Sequence, residues 1–238
     1  MEKKIKFKSG KNMLRGSMFV PSGRGPFPAV IFFHGNGSEG EKYFEAGKYL
    51  SEKGILCLAF NFTGCGVSEG EYLVQTHQDA FRDAKNAYDF FLKQKQIDRQ
   101  RVGIVGGSFG GYVASMILPE LDVVSLVLLF PSAHDDSYNT KIEMGSIEKE
   151  VEYFENEYNW INSEAYKNIS DFRRSLLIIE SEKDKNVPAN VVNNYYEVAK
   201  KVLIKELRVI KDADHRLSTG KMRKEFYELI SDWFLKTL

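Results

Sequence analysis

Apolar and polar positions along this chain follow two rhythms, and the switches between them mark out the elements. Ile5 to Lys8 and Met13 to Val20 read as strands around the turn Ser9-Gly10-Lys11-Asn12, forming an antiparallel edge. Ala29 to Phe33 and Ile55 to Phe60 are unbroken apolar runs of strand length, the pattern of strands buried on both faces. Val102 to Val105, Val123 to Phe130, Leu176 to Glu180 and Leu203 to Ile210 add further strands. Between them the apolar spacing changes to three and four. Tyr43 to Lys53 is a helix closed by Gly54, and Gln75 to Gln94 carries Ala80, Phe81, Ala84, Ala87, Tyr88 and Phe91 on one face. Helices follow over Tyr112 to Leu118, from Pro188, and at the end of the chain, where Phe226, Leu229, Ile230, Trp233 and Phe234 share a face. Strand–helix alternation of this kind predicts an α/β protein: a mostly parallel, doubly wound sheet of about eight strands with helices on both faces. Ligands of such sheets bind outside the carboxyl ends of the strands.

The alternation lapses after Pro131. Residues 132–171 are polar, partly acidic and rich in aromatics. Within them Ile147, Val151, Phe154, Tyr158 and Ile161 alternate spacings of four and three, which predicts a helix with one narrow apolar stripe.

At 238 residues the default is one large domain spanning 1–238. Lys+Arg and Asp+Glu balance at 33 each. That argues against nucleic acid or a membrane surface as an electrostatic partner, and a net charge near zero is compatible with a homodimer. The amino-terminal residues lack the apolar core of a secretory signal, and no apolar run approaches a membrane span. Only two cysteines, Cys57 and Cys65, argue against a disulfide framework, so the expected location is cytoplasmic, and nothing near them has metal-ligand spacing.

The chemistry concentrates around Arg101 to Tyr112, where an apolar strand runs into Gly106-Gly107-Ser108-Phe109-Gly110 and then a helix. This fits G-x-S-x-G, the strand-to-helix turn called the nucleophile elbow. Side chains two before and two after the serine would collide with neighbouring backbone, and glycine removes the collision. The alternative is a glycine-rich turn that only lets a helix pack closely on a strand. A serine nucleophile needs a base, and the base needs an orienting acid. Of four histidines, His34 precedes a glycine turn and holds that loop, and His77 opens a helix in a surface or capping role. His134 is a second candidate, whereas His215 follows a strand end in a loop able to reach over the sheet edge, and is preferred. Asp184, at the apex of the loop after Leu176 to Glu180, is the preferred acid; Asp135 or Asp136 is the fallback, and Asp184 could instead be a helix-entry aspartate. Asp212 and Asp214 are near His215 in sequence, which does not by itself turn a carboxylate toward the ring.

The order Ser108, Asp184, His215 is that of the α/β-hydrolases. His34-Gly35-Asn36-Gly37 resembles their H-G-x-x-G loop, and Asn61 to Gly70 their D-x-R-G-x-G-x-S-x-G loop. Asp184-Lys185-Asn186-Val187-Pro188 resembles their acid loop, and Ala213-Asp214-His215 their histidine loop. From about Met13 to Leu238 the chain resembles that superfamily, with departures at Asn61, Thr63 and Ser181, where aspartate, arginine and glycine are common. The resemblance implies an α/β-hydrolase fold and a Ser108–His215–Asp184 triad. It also implies an oxyanion hole from the backbone N–H groups of Asn36 and Phe109, and no cofactor or metal. It places residues 132–171 as a small lid, with Phe154, Tyr158 and Trp160 either docking it or lining the pocket. A small aromatic lid is also similar to that of cinnamoyl and feruloyl esterases. The implied activity is cleavage of a small-molecule acyl ester. A serine aminopeptidase or acyl-peptide hydrolase, a thioesterase, and a catalytically silent ligand-binding protein stand as alternatives.

Overall fold

The computed structural model describes residues 1–135 and 152–238. Eight strands form one sheet: β1 (Glu2–Ser9), β2 (Asn12–Phe19), β3 (Phe27–Phe33), β4 (Leu56–Phe60), β5 (Ile97–Gly107), β6 (Ser125–Leu129), β7 (Ser175–Ser181) and β8 (Ile204–Ile210). Their spatial order is β1-β2-β4-β3-β5-β6-β7-β8. β1 and β2 pair antiparallel, β2 joins β4 antiparallel, and every remaining pairing is parallel. The apolar runs explain the order. Every residue of β4 and β6 is buried, as fits strands covered on both faces. β8, at the sheet's rim, buries fully only Ile210.

The helices are α1 (Phe44–Glu52), α2 (His77–Leu92), α3 (Phe109–Ile117), α4 (Glu164–Asp171), α5 (Ala189–Val198) and α6 (Gly220–Thr237). α1 packs against α6, while α2, α3, α4 and α5 pack in succession, so the sheet is covered by two groups of helices. α2 begins at a capping box in which Thr76 and Asp79 satisfy each other's backbone N–H groups. His77, just inside it, is buried rather than at the surface. Its ring lies 5.2 Å from Phe109 and 5.4 Å from Tyr112. His77, Phe81 and Ala84 are four and then three residues apart, so the histidine belongs to the apolar face of α2.

The stripe expected through the inserted segment is not one helix. Ile147 and Val151 lie outside the described residues. Residues 152–155 are helical, but Asn156 is extended (φ −94°, ψ 105°) and caps a separate turn, Glu157–Asn159. Phe154 and Trp160 are buried, with Trp160 Nε1 donating to Phe154 O at 3.1 Å, whereas Tyr158 is 80% exposed.

Candidate active site

β5 ends in the elbow. Ser108 has φ 52° and ψ −121°, a conformation that L side chains rarely adopt. Glycines on either side make it affordable. A Cβ on Gly106 would lie 2.5 Å from Gly110 O, and one on Gly110 would run into Phe33 O at the end of β3. The serine backbone is anchored on both sides: Ser108 N donates to Leu129 O at 2.9 Å, and Ser108 O accepts from Gly111 N at 2.8 Å.

The loops after β7 and β8 are latched together. Lys183 N donates to Ala213 O at 2.8 Å, Asp212 N donates to Glu182 Oε2 at 2.8 Å, and Lys183 pairs with Asp212. This latch delivers His215 to Asp184. His215 Nδ1 lies 2.8 Å from Asp184 Oδ2, and His215 Nε2 lies 3.1 Å from Ser108 Oγ. The other Asp184 oxygen, Oδ1, accepts from Asn186 N at 2.8 Å and Val187 N at 3.0 Å. Asp184 thus divides its oxygens, one accepting from the N–H groups of the turn and the other facing the imidazole. The Phe130 ring, 4.6 Å from that of His215, packs against the imidazole. Asp214 does not face the ring: its Oδ1 accepts from Arg216 N at 2.9 Å and Ser218 N at 3.1 Å, closing the histidine loop.

The alternative candidates His134 and Asp135 are engaged in other contacts. His134 sits in an aromatic nest with His77, Tyr112 and Tyr153, its Nε2 3.1 Å from Ser132 Oγ. Burial pushes its pKa down to about 3. Asp135 N donates to Asn159 O at 2.7 Å, and Asp136 lies outside the described residues.

The two amides expected to face an oxyanion have no hydrogen-bond partner among the described residues. Phe109 N opens α3, where helix N–H groups are unsatisfied and the dipole is positive. Asn36 N lies in the loop after β3. That loop is held by His34, whose Nδ1 donates to Gly35 O at 2.9 Å while its Nε2 accepts from Phe62 N at 3.0 Å. Accepting at Nε2 requires a neutral ring, and burial holds its pKa down at about 4. Tyr72 OH donates to Asn36 Oδ1, fixing the same loop from outside. Asn61 ties its loop to the turn that follows the Asn36 loop through amide hydrogen bonds. Its Oδ1 accepts from Gly40 N at 2.6 Å and its Nδ2 donates to Glu41 Oε1 at 3.1 Å.

A cavity of about 340 Å³ opens above Ser108, lined among others by Asn36, Tyr43, Tyr72, Phe130, Asn186 and His215. Phe154, Tyr158 and Trp160 do not line it. Sequence reasoning had no motif to find Tyr72, Phe130 or Tyr43. Among the described residues no cluster of His, Cys, Asp and Glu could hold a metal ion, and no helix is long and apolar enough to cross a membrane.

A mostly parallel eight-stranded sheet with an elbow serine, a carboxyl-rim histidine and a carboxylate in contact is the architecture of the α/β-hydrolase superfamily of serine hydrolases. Within that class the prolyl oligopeptidase family profile matches residues 41–238, and the chain belongs to that family. It is 25% identical over 242 residues to the uncharacterized peptidase YuxL of Bacillus subtilis (strain 168), covering 93% of this chain and 37% of that relative. The chain thus spans about a third of the length of that curated relative. Its fold is similar to that of Est1E from Butyrivibrio proteoclasticus, solved with ferulic acid bound, with a TM-score of 0.76, 15% identity and 98% of each chain covered. It is also similar to the acylaminoacyl peptidase of Pyrococcus horikoshii, with a TM-score of 0.75 and 22% identity over 100% of this chain and 42% of that one.

Proposed function

We propose that this chain is a serine hydrolase that cleaves carboxylic esters through an acyl-enzyme. The observation that carries the reading is the unbroken line of contacts Ser108 Oγ–His215 Nε2–His215 Nδ1–Asp184 Oδ2, with steps of 3.1 Å and 2.8 Å, opening into the cavity. His215 takes the Ser108 proton as the oxygen attacks the carbonyl carbon. Asp184 holds the ring with Nδ1 protonated and stabilises the imidazolium that forms. The developing oxyanion is met by the N–H groups of Asn36 and Phe109, each worth about 3 kcal/mol of transition-state stabilisation in such sites. His215 returns the proton to the leaving alcohol, and water then attacks the acyl carbon by the same route in reverse. The chemistry calls on side chains and backbone amides of this chain alone.

Family membership supports a second reading, hydrolysis of an acyl-peptide or aminoacyl amide. The cavity speaks against the aminoacyl amide only, because an acyl-peptide carries no free amino terminus. Anchoring a free amino terminus calls for a carboxylate, and among the described residues none lines the cavity. A panel of p-nitrophenyl esters, aminoacyl anilides, acyl-peptides and acyl-CoA thioesters separates these substrate classes. Fluorophosphonate labelling that disappears in Ser108→Ala is the expected result for either reading. Well-folded wild-type protein that neither labels nor turns over any member of the panel would instead identify a ligand-binding protein on this fold.

A further inference from the structure

Charge on the cavity wall is of one sign. Apart from His215, the titratable groups with formal charge that line it are Lys42 and Arg216. Lys42 comes from the short turn Gly40–Tyr43 that follows the Asn36 loop, and Arg216 is the neighbour of His215. Among the described residues neither side chain has a carboxylate in ion-pair range, unlike Lys85 with Glu120 or Lys201 with Asp171. Asp214, whose field reaches Lys42, is committed to the backbone of its own loop through Arg216 N and Ser218 N. Lys42 is exposed, but into a concavity. Desolvation by the surrounding protein and then the Arg216 guanidinium push its ammonium below the usual lysine pKa, and Asp214 offsets only part of this.

Two like charges brought together at a concave wall repel each other, and an anionic group between them relieves the repulsion. One is a compact ammonium and the other a planar fork of donors, a combination suited to anionic oxygens. We propose that Lys42 and Arg216 select a substrate that carries an anionic oxygen group, such as a carboxylate, a few atoms from the scissile carbonyl. The identity of the bond cleaved rests on the hydrolase reading, whereas the preference for an anion does not.

Two pairs of esters locate the anion. Mono(4-nitrophenyl) glutarate against 4-nitrophenyl pentanoate places it on the acyl side, and 4-acetoxybenzoate against phenyl acetate places it on the leaving group. Intrinsic reactivity cancels when the charged-to-neutral ratio of kcat/KM is compared between wild type and Lys42→Gln/Arg216→Gln. That ratio falls about tenfold in one pair, as expected for losing two partly solvated charge contacts, and falls further in Lys42→Glu/Arg216→Glu. Ratios that move less than about twofold in both pairs, with neutral esters still turned over, overturn the proposal. A binding measurement keeps the question open to decision if no ester is hydrolysed. In Ser108→Ala protein, calorimetry is expected to show monomethyl glutarate binding more tightly than dimethyl glutarate, with the difference lost when Lys42 and Arg216 are also replaced by Gln. Equal or absent binding of the two glutarates overturns the proposal. Absence of labelling and turnover in the wild-type protein, with this binding difference intact, would refute the hydrolase reading alone.

Discussion

Replacing Asp184 with asparagine tests the relay through the tautomer of His215. Asp184 Oδ1 accepts two backbone N–H groups, from Asn186 at 2.8 Å and Val187 at 3.0 Å. A side-chain amide at this position must present its oxygen to those two donors, because an NH2 there would meet two N–H groups head-on. Its NH2 then faces His215 Nδ1, 2.8 Å away in the native protein. The ring can satisfy that contact only by accepting at Nδ1, which moves its proton to Nε2, opposite Ser108 Oγ at 3.1 Å. The imidazole then cannot take the serine proton. The expected loss in kcat is about 10⁴-fold, or ~5.5 kcal/mol of transition-state stabilisation. Because the two loop amides keep their acceptor, stability changes by less than about 1 kcal/mol. Asp184→Ala leaves those amides without one and costs about 1–3 kcal/mol, which lowers Tm by a few degrees in a chain of this size. The assay is p-nitrophenyl ester turnover beside a thermal melt for each variant. An asparagine variant that keeps more than about a tenth of wild-type kcat would refute the tautomer argument.

Three further predictions follow from other sites. Gly110→Ala drives a Cβ into Phe33 O and costs several kcal/mol or abolishes folding, whereas Gly220→Ala meets nothing within 4 Å and is neutral or slightly stabilising; urea melts separate the two. Asn61→Asp sets a carboxylate against Glu41 Oε1, at 3.1 Å from the native amide nitrogen, and destabilises by about 2 kcal/mol, most of it recovered in Asn61→Asp/Glu41→Gln; equal losses in the single and double variants would refute the pairing. His34 and His77, at about 4, and His134, at about 3, all titrate below the unfolded value in the folded chain. The unfolded chain therefore takes up more protons below about pH 6.5, and stability present at pH 7 is lost as pH falls, by about 1 kcal/mol per pH unit for each histidine near pH 5. Denaturant melts at pH 7, 6 and 5 read this directly, and a flat profile would contradict it.

The parts of the molecule visible in the sequence are those where local sterics leave little choice. Unbroken runs such as Ala29 to Phe33 locate the central strands, because a strand covered on both faces has no polar side to show. The spacing of Gly106 and Gly110 around Ser108 reports a backbone collision that no other residue avoids. What depended on strand order was out of view. The contact of Lys183 N with Ala213 O joins loops that become neighbours only because β7 and β8 pair. Phe130 against His215 and Lys42 beside Arg216 have the same origin. Two departures from the apolar pattern have local causes. Asn156 is a residue type that begins turns, and here it ends the helix before Tyr158 and Ile161 can join its apolar face. The position of His77 relative to Phe81 places it inward, although its polarity suggests the surface.

The latch between the loops after β7 and β8 divides the site into two mechanical units. One is the elbow, welded to the middle of the sheet by Ser108 N on Leu129 O; the other is a rim piece in which acid and imidazole travel together. Acid and imidazole therefore share one support and the hydroxyl has another, and the contact between hydroxyl and ring is the step of the relay that spans the two. Variants along β8 should accordingly slow proton transfer without altering how the ring is aimed.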